Sequence, residues 1–144
     1  MDVFDRILLL KKSPVFEQTS TDDLRHVAQA MDIENYLQNE RIFDIGENGD
    51  HMYVIVTGRV GISLNGNPKV KDYVAELGGG ECFGEMNLLD NLPRSATVHV
   101  IEDTTVMALD SNQLRQLIVR YPELALGMLK GLSLKLRDTN KNKS

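Results

Sequence analysis

The hydrophobic period of the chain changes twice, near residue 33 and again near residue 110. Between these points the apolar and β-branched residues come in short runs: Arg41–Phe43, Met52–Val56, Val60–Leu64, Val70–Leu77, Ala96–Ile101 and Thr105–Leu109. Turn signals separate several of them, among them Gly46-Glu47-Asn48-Gly49-Asp50, Asn65-Gly66-Asn67-Pro68 and Gly78-Gly79-Gly80. Many short strands at regular spacing with glycine-rich turns predict an antiparallel sandwich or barrel. Asn65-Gly66 suits a tight hairpin, because both residues tolerate positive φ.

On either side the spacing is helical. Val3, Ile7 and Leu10 share one face, and Ser13-Pro14 ends that helix because the residue before proline is pushed out of the α region. Ser20 or Thr21 can cap a second helix with Asp22 and Asp23 in its first turn and a stripe of Leu24, Val27, Ala28 and Met31. After the barrel, Ser111 opens a helix carrying Leu114, Leu117 and Ile118, and Pro122 separates it from a last helix reaching about Asp138. In that last helix Ala125, Leu129, Leu132 and Leu136 form the expected buried stripe, with the three leucines packed on the barrel or on a partner helix. The fold class that follows is mainly β with flanking α. It is an antiparallel β-barrel or jelly roll of eight strands, with an N-terminal helical bundle, C-terminal helices and one short internal turn at Glu85–Leu88. Residues 1–138 form one domain, and the polar end at residues 139–144 is expected to fray.

Bulk properties narrow the classes. A chain of 144 residues, 42% hydrophobic, can bury a core without staples. Its one cysteine, Cys82, cannot form an internal disulfide, which points to a reducing, cytoplasmic setting. No run approaches the roughly 18 apolar residues of a membrane span, so membrane insertion is not expected. The net charge of −5 disfavours direct nucleic-acid binding, and the basic residues Lys130, Lys135, Arg137, Lys141 and Lys143 read as a solvated end.

No catalytic constellation emerges. Gly79-x4-Gly84 is followed by Glu85-Met86 where a phosphate loop needs a lysine and a hydroxyl. His26, His51 and His99 are scattered, with no pair placed to hold a metal. Cys82 has no adjacent base and reads as a core residue. Gly127-x3-Gly131 imitates a membrane packing motif, yet Lys130 and Lys135 interrupt it, and close packing of soluble helices is the better reading. The chain is therefore not expected to be an enzyme, and neither a metal nor a cofactor is expected.

One segment stands apart, Phe83-Gly84-Glu85-Met86-Asn87-Leu88-Leu89-Asp90-Asn91-Leu92-Pro93-Arg94-Ser95-Ala96-Thr97-Val98. A glycine followed by a short helical turn offers backbone N–H groups to an anion. An arginine returning on the next strand can grip the same anion with its planar fork, and a nearby carboxylate can accept from a sugar hydroxyl. Chemistry alone leaves a second account equally open, a Glu85–Arg94 ion pair that closes a loop.

Phe83-Gly84-Glu85-Met86-x-Leu88-Leu89-x4-Arg94-Ser95-Ala96-Thr97-Val98 resembles the phosphate-binding cassette of the cyclic-nucleotide-binding domain family. Gly46-Glu47-x-Gly49-Asp50-x-x-Tyr53-x-Ile55-x-x-Gly58-x-Val60 is similar to that family's barrel turn and strand. Leu10-x-x-Ser13-Pro14-Val15-Phe16 with Leu24 is similar to its N-terminal helices, so the resemblance covers about residues 7–136. It implies that Glu85 accepts from the ribose 2′-hydroxyl, that Arg94 pairs with the cyclic phosphate and Ser95 adds a hydroxyl donor, and that Gly84 permits close backbone approach. Phe83, Met86 and Asn87 complete the implied ligand-binding set. Asn87 departs from the family's usual alanine or glycine. Ser95 leans toward cyclic AMP as ligand, with cyclic GMP as the alternative. The implied function is regulatory sensing, relayed by movement of the last helix to a homodimer partner or to a fused or separate effector. The alternative is the same fold with binding lost, serving as a structural or interaction module. An unliganded Arg94 is expected to reach water.

Overall fold

A computed structural model of the chain describes residues 1–65 and 73–142. They divide into two compact units, a helical one (Met1–Met31 with Asn112–Ser144) and a β one (Asp32–Ser111).

The helical unit begins with α1 (Val3–Lys11), capped by Asp2 and Asp5 in a reciprocal box and buried on Ile7 and Leu10. α2 (Thr21–Ala30) is capped by the Ser20 hydroxyl on the Asp23 N–H at 3.2 Å and buries Leu24, Val27 and Ala28, as its spacing predicts. The Arg6 guanidinium donates to the carbonyls of Ala28 and Met31, satisfying the end of α2. α4 (Ser111–Arg120) buries Leu114. α5 (Glu123–Asn142) differs from the sequence reading in two ways. It runs past Asp138 to Asn142, so residues 139–142 continue a helix; Lys143 and Ser144 lie outside the described residues. Its buried positions are Leu124, Gly131 and Met128, whereas Leu129 and Leu136 are 61% and 62% exposed and Leu132 is half-buried.

Glycine explains the choice of face. A Cβ on Gly131 would stand 2.3 Å from the Pro14 carbonyl oxygen, and one on Gly127 would stand 2.6 Å from Thr19 Oγ1. These two positions let the backbone of α5 lie against residues 14–19, and Leu124 and Met128 are carried in with them. The Gly127-x3-Gly131 spacing therefore serves close packing of α5 against residues 14–19.

The β unit contains β1 (Asp32–Tyr36), β2 (Arg41–Phe43), β3 (His51–Ser63), β4 (Ala75–Gly78), β5 (Cys82–Phe83) and β6 (Thr97–Asp110), with α3 (Asn87–Asp90) between β5 and β6. All ladders are antiparallel, in the order β1-β6-β3-β4, with β2 on β6 and β5 on β3. The result is a mainly antiparallel, jelly-roll-like sheet with flanking helices, and among the described residues no ladder joins β1 to β4 to close it. Among the described residues six strands stand where eight are expected, because β3 and β6 are each continuous where the sequence suggests two runs. Gly58, at φ +103°, and the Asp103–Thr104 backbone bend together: a Cβ on Gly58 would meet Thr104 Oγ1 at 2.3 Å, and Thr104 Oγ1 accepts from the Arg59 N–H. The register shifts at this point while the strands stay paired. The Asn65-Gly66 turn and the start of the Val70–Leu77 run lie outside the described residues.

Tyr53, Ile55, Val60, Phe83, Val98, Val106 and Ala108 form the core of the unit, with Phe43, Ile62 and Leu77 packed at its margin. Each buried apolar side chain contributes about 1.5–3 kcal/mol relative to exposure. The same margin is one wall of the cavity described next.

Candidate functional site

A cavity of about 310 Å³ opens in the β unit, bordered by Phe83, Gly84, Glu85, Met86, Asn87, Arg94 and Ser95 together with Phe43, Leu77 and Val98. All seven residues singled out in the sequence meet at this one place. Phe83, Asn87 and Arg94 are buried, Gly84 and Glu85 half-buried, Met86 and Ser95 exposed.

Arg94 is the centre of the arrangement. Only 4% of it is exposed, against the expectation that it would reach water. One terminal nitrogen donates to Asn87 Oδ1 at 3.1 Å and the other to the His51 carbonyl at 2.9 Å. The guanidinium carbon lies 3.9 Å from the centroid of the Phe43 ring, a cation–π distance. Nε is buried without a partner. Burial lowers the proton affinity of the guanidinium below its usual value, opposed by Tyr53, Asp50 and Glu47. The Glu85–Arg94 ion pair does not form: the hydrogen bonds of Arg94 go to Asn87 and His51, and no carboxylate among the described residues lies within ion-pair distance of it.

The two sequence motifs turn out to be one structure. The Arg94 N–H donates to the Glu47 carbonyl at 2.7 Å, the Gly46 N–H donates to the Arg94 carbonyl at 2.8 Å, and Asn48 bridges Pro93. A Cβ on Gly49 would stand 2.1 Å from Arg94 Nε, so that position is glycine because the arginine side chain crosses it. Gly84, at φ +78°, is constrained twice, since its Cβ would meet both Arg94 Nη1 and the His51 carbonyl oxygen below 3 Å. Sequence reasoning did not connect Phe43, Gly49 and His51 with Arg94. The signal was the turn motif itself, whose glycines carry no side chain where the arginine passes.

The short helix behaves differently from a bare anion cradle. The Asn87 N–H donates to the Gly84 carbonyl at 3.2 Å and the Leu88 N–H to the Glu85 carbonyl at 3.3 Å, so both are engaged inside the turn. α3 begins at Asn87, two residues later than the expected turn at Glu85. Asn91, in the left-handed region at φ 55°, ends it. Among the described residues no group of His, Cys, Asp or Glu is placed to hold a metal ion.

A jelly-roll-like sheet with an apolar-walled cavity beside a buried arginine, which has no carboxylate among the described residues within ion-pair distance, is the class of architecture the structure defines. Comparison with known proteins gives the class its family. The model of the cyclic nucleotide-binding domain matches residues 33–121, and the chain belongs to that family.

Relatives agree. The chain is 32% identical over 134 residues to the cyclic AMP receptor protein of Thermus thermophilus, covering 91% of this chain and 61% of that protein. It is 32% identical over 117 residues to a cyclic nucleotide-gated potassium channel of Mesorhizobium japonicum, covering 81% and 31%. The N-terminal domain of a transcriptional regulator from Streptomyces coelicolor superposes with a TM-score of 0.82 at 25% identity, covering 93% of both chains. The chain spans less than two thirds of the length of the curated relatives it matches. No described helix is long and apolar enough to cross a membrane.

Proposed function

We propose that the β unit is a sensor that takes a cyclic nucleotide, with cyclic AMP favoured over cyclic GMP, into the cavity beside Arg94. The observation that carries this reading is the arginine itself. A guanidinium that is buried, has no carboxylate among the described residues within ion-pair distance and has an unpartnered Nε is an incomplete electrostatic arrangement. A singly charged phosphodiester completes it through charge-assisted hydrogen bonds. Glu85 accepts from the ribose hydroxyl, Ser95 donates to the phosphate, and the apolar wall of Phe83 and Leu77 covers the remainder. The volume suits one small ligand, at the low end of the usual range of about 300–1,000 Å³.

In this reading the domain does no chemistry. Ligand binding shifts the balance between two placements of α5, and a homodimer partner or an effector domain reads the difference. Neither nucleic acid nor membrane is a direct partner, and the setting is the cytoplasm.

Calorimetric titration with cyclic AMP and cyclic GMP tests it, together with melting curves. A ligand that binds only the folded state raises stability by about 2.7 kcal/mol at 100 times Kd. Saturable binding with such a shift is the expected result. The absence of both for either nucleotide would leave a domain of this fold that serves as an interaction module.

A further inference from the structure

Asn87 is bound on both sides of its amide. Oδ1 accepts from an Arg94 terminal nitrogen at 3.1 Å, and Nδ2 donates to the Leu92 carbonyl. The amide orientation is fixed by chemistry, since a guanidinium can only donate and a carbonyl can only accept. The side chain thus cross-links the start of α3 to the backbone two residues before Arg94, and only 9% of the residue is exposed. Its own N–H is engaged by Gly84.

We propose that Asn87 is a positioning residue for the anion site: it holds the Arg94 guanidinium in place and, being neutral, leaves the arginine's charge for the ligand. This rests on the reading of the cavity as a phosphate site. The other contacts do not locate the guanidinium by themselves. The His51 carbonyl fixes one terminal nitrogen and Phe43 lies against the face, so without Asn87 the fork can pivot about the His51 bond. The neutrality of Asn87 has a second consequence. An aspartate has the same outline and would bind the arginine more strongly, but it would cancel the charge that an anionic ligand needs and lose the donor that Leu92 accepts from. Asn87 preorganises without competing.

The two parts of the proposal separate in two variants of the whole chain. Asn87→Ala removes the hold, and its affinity for cyclic AMP should fall about tenfold, the size of one lost hydrogen bond to a charged group. Asn87→Asp keeps the size and the acceptor for Arg94, loses the donor to Leu92 and neutralises the arginine, and its affinity should fall further, on the order of a hundredfold, as for a mispaired buried charge. Nitrogen-15 NMR of the Arg94 guanidinium without ligand gives the readout that a merely structural role would not move. Distinct, slowly exchanging terminal nitrogens are expected in the parent and in Asn87→ Asp alike and averaged ones in Asn87→Ala. The aspartate variant keeps the comparison available if the alanine variant melts. Parent-like cyclic AMP affinity in both variants would overturn the proposal, as would guanidinium signals that ignore Asn87→Ala. A parent that binds no cyclic nucleotide would instead overturn the phosphate-site reading, and the NMR comparison would still decide whether Asn87 holds Arg94.

Discussion

The cassette segment at residues 83–98 and the helix α5 were both read from short patterns, and they fared differently. In the cassette, each singled-out residue borders the same cavity. In α5, two residues of the expected stripe, Leu129 and Leu136, are exposed and Leu132 is only half-buried, while Leu124 and Met128 are buried. The difference is one of degeneracy. Leu124, Leu126, Leu129, Leu132, Leu134 and Leu136 are distributed around the whole helix, so several apolar stripes can be drawn through them. A buried arginine has few solutions. It needs acceptors, a ring or a carboxylate, and room, which ties Asn87, His51, Phe43, Gly49 and Gly84 to one geometry.

The largest expected effect tests the cassette side of this contrast. Arg94→Ala should reduce cyclic-nucleotide affinity by about 2–4 kcal/mol, roughly 30- to 1,000-fold, because it leaves the phosphate buried without its counter-charge. Stability should change less, by about 1–2 kcal/mol, since the lost hydrogen bonds and cation–π contact are partly offset by removing a desolvated cation. Arg94→Lys should also bind weakly, because one ammonium cannot serve His51, Asn87 and a phosphate with a planar fork. Calorimetry and urea unfolding of the parent and both variants measure this. A ligand that binds Arg94→Ala as tightly as the parent would move the anion site elsewhere in the domain.

The next effect tests the α5 side, where two principles predict opposite signs. Replacing a mid-helix glycine by alanine ordinarily gains about 1 kcal/mol of helix propensity. At Gly131 the added carbon would stand 2.3 Å from the Pro14 carbonyl oxygen, and it would also crowd the Val15 carbonyl oxygen at 3.0 Å. Backbone on the far side cannot swing away as a side chain can, so Gly131→Ala should destabilise the chain by about 1–3 kcal/mol, the cost of overpacking. An increase in unfolding free energy would show that α5 is not held against residues 14–19 by its glycines.

The same degeneracy marks how far the sequence could be read. The change of period at residues 33 and 110 locates the β unit closely, because β1 starts at Asp32 and β6 ends at Asp110. Ser20 and Ser13-Pro14 locate helix ends, since a cap and a proline act locally. Strand count was not legible: Gly58 looks like a turn, and only the opposing Thr104 makes it a bend within a continuous ladder. Nor was the commitment of Asn87 to Arg94, a pairing across seven residues that depends on where α3 starts. In each miss the deciding partner is distant in sequence or lies on another strand.

The smallest effect sharpens the comparison inside the β unit, where a second nitrogen base is buried away from the cavity. His99 lies on β6, 8% exposed, with Nε2 unpartnered and its ring 5.4 Å from that of Tyr73. Burial lowers its pKa below the ordinary histidine value, the nearby Arg41 lowers it further, and Asp44 opposes. Arg94 must keep its proton to act, whereas burial disfavours the charged form of His99. The sign for stability follows from proton counting. Below about pH 6.5 the unfolded chain takes up a proton at this position that the folded chain refuses until the pH reaches its lower pKa, so the His99 contribution falls as the solution is acidified through that window. Above pH 6.5 neither state binds the proton and the contribution is flat. The slope cannot exceed about 1.4 kcal/mol per pH unit for one site. Urea unfolding of the parent between pH 5.5 and 7.5 should therefore show stability decreasing toward acid, with His99→Gln less steep over the same range. Parallel slopes would mean that the folded β unit admits a charged imidazole beside Tyr73 and Arg41, and the contrast between its two buried bases would be lost.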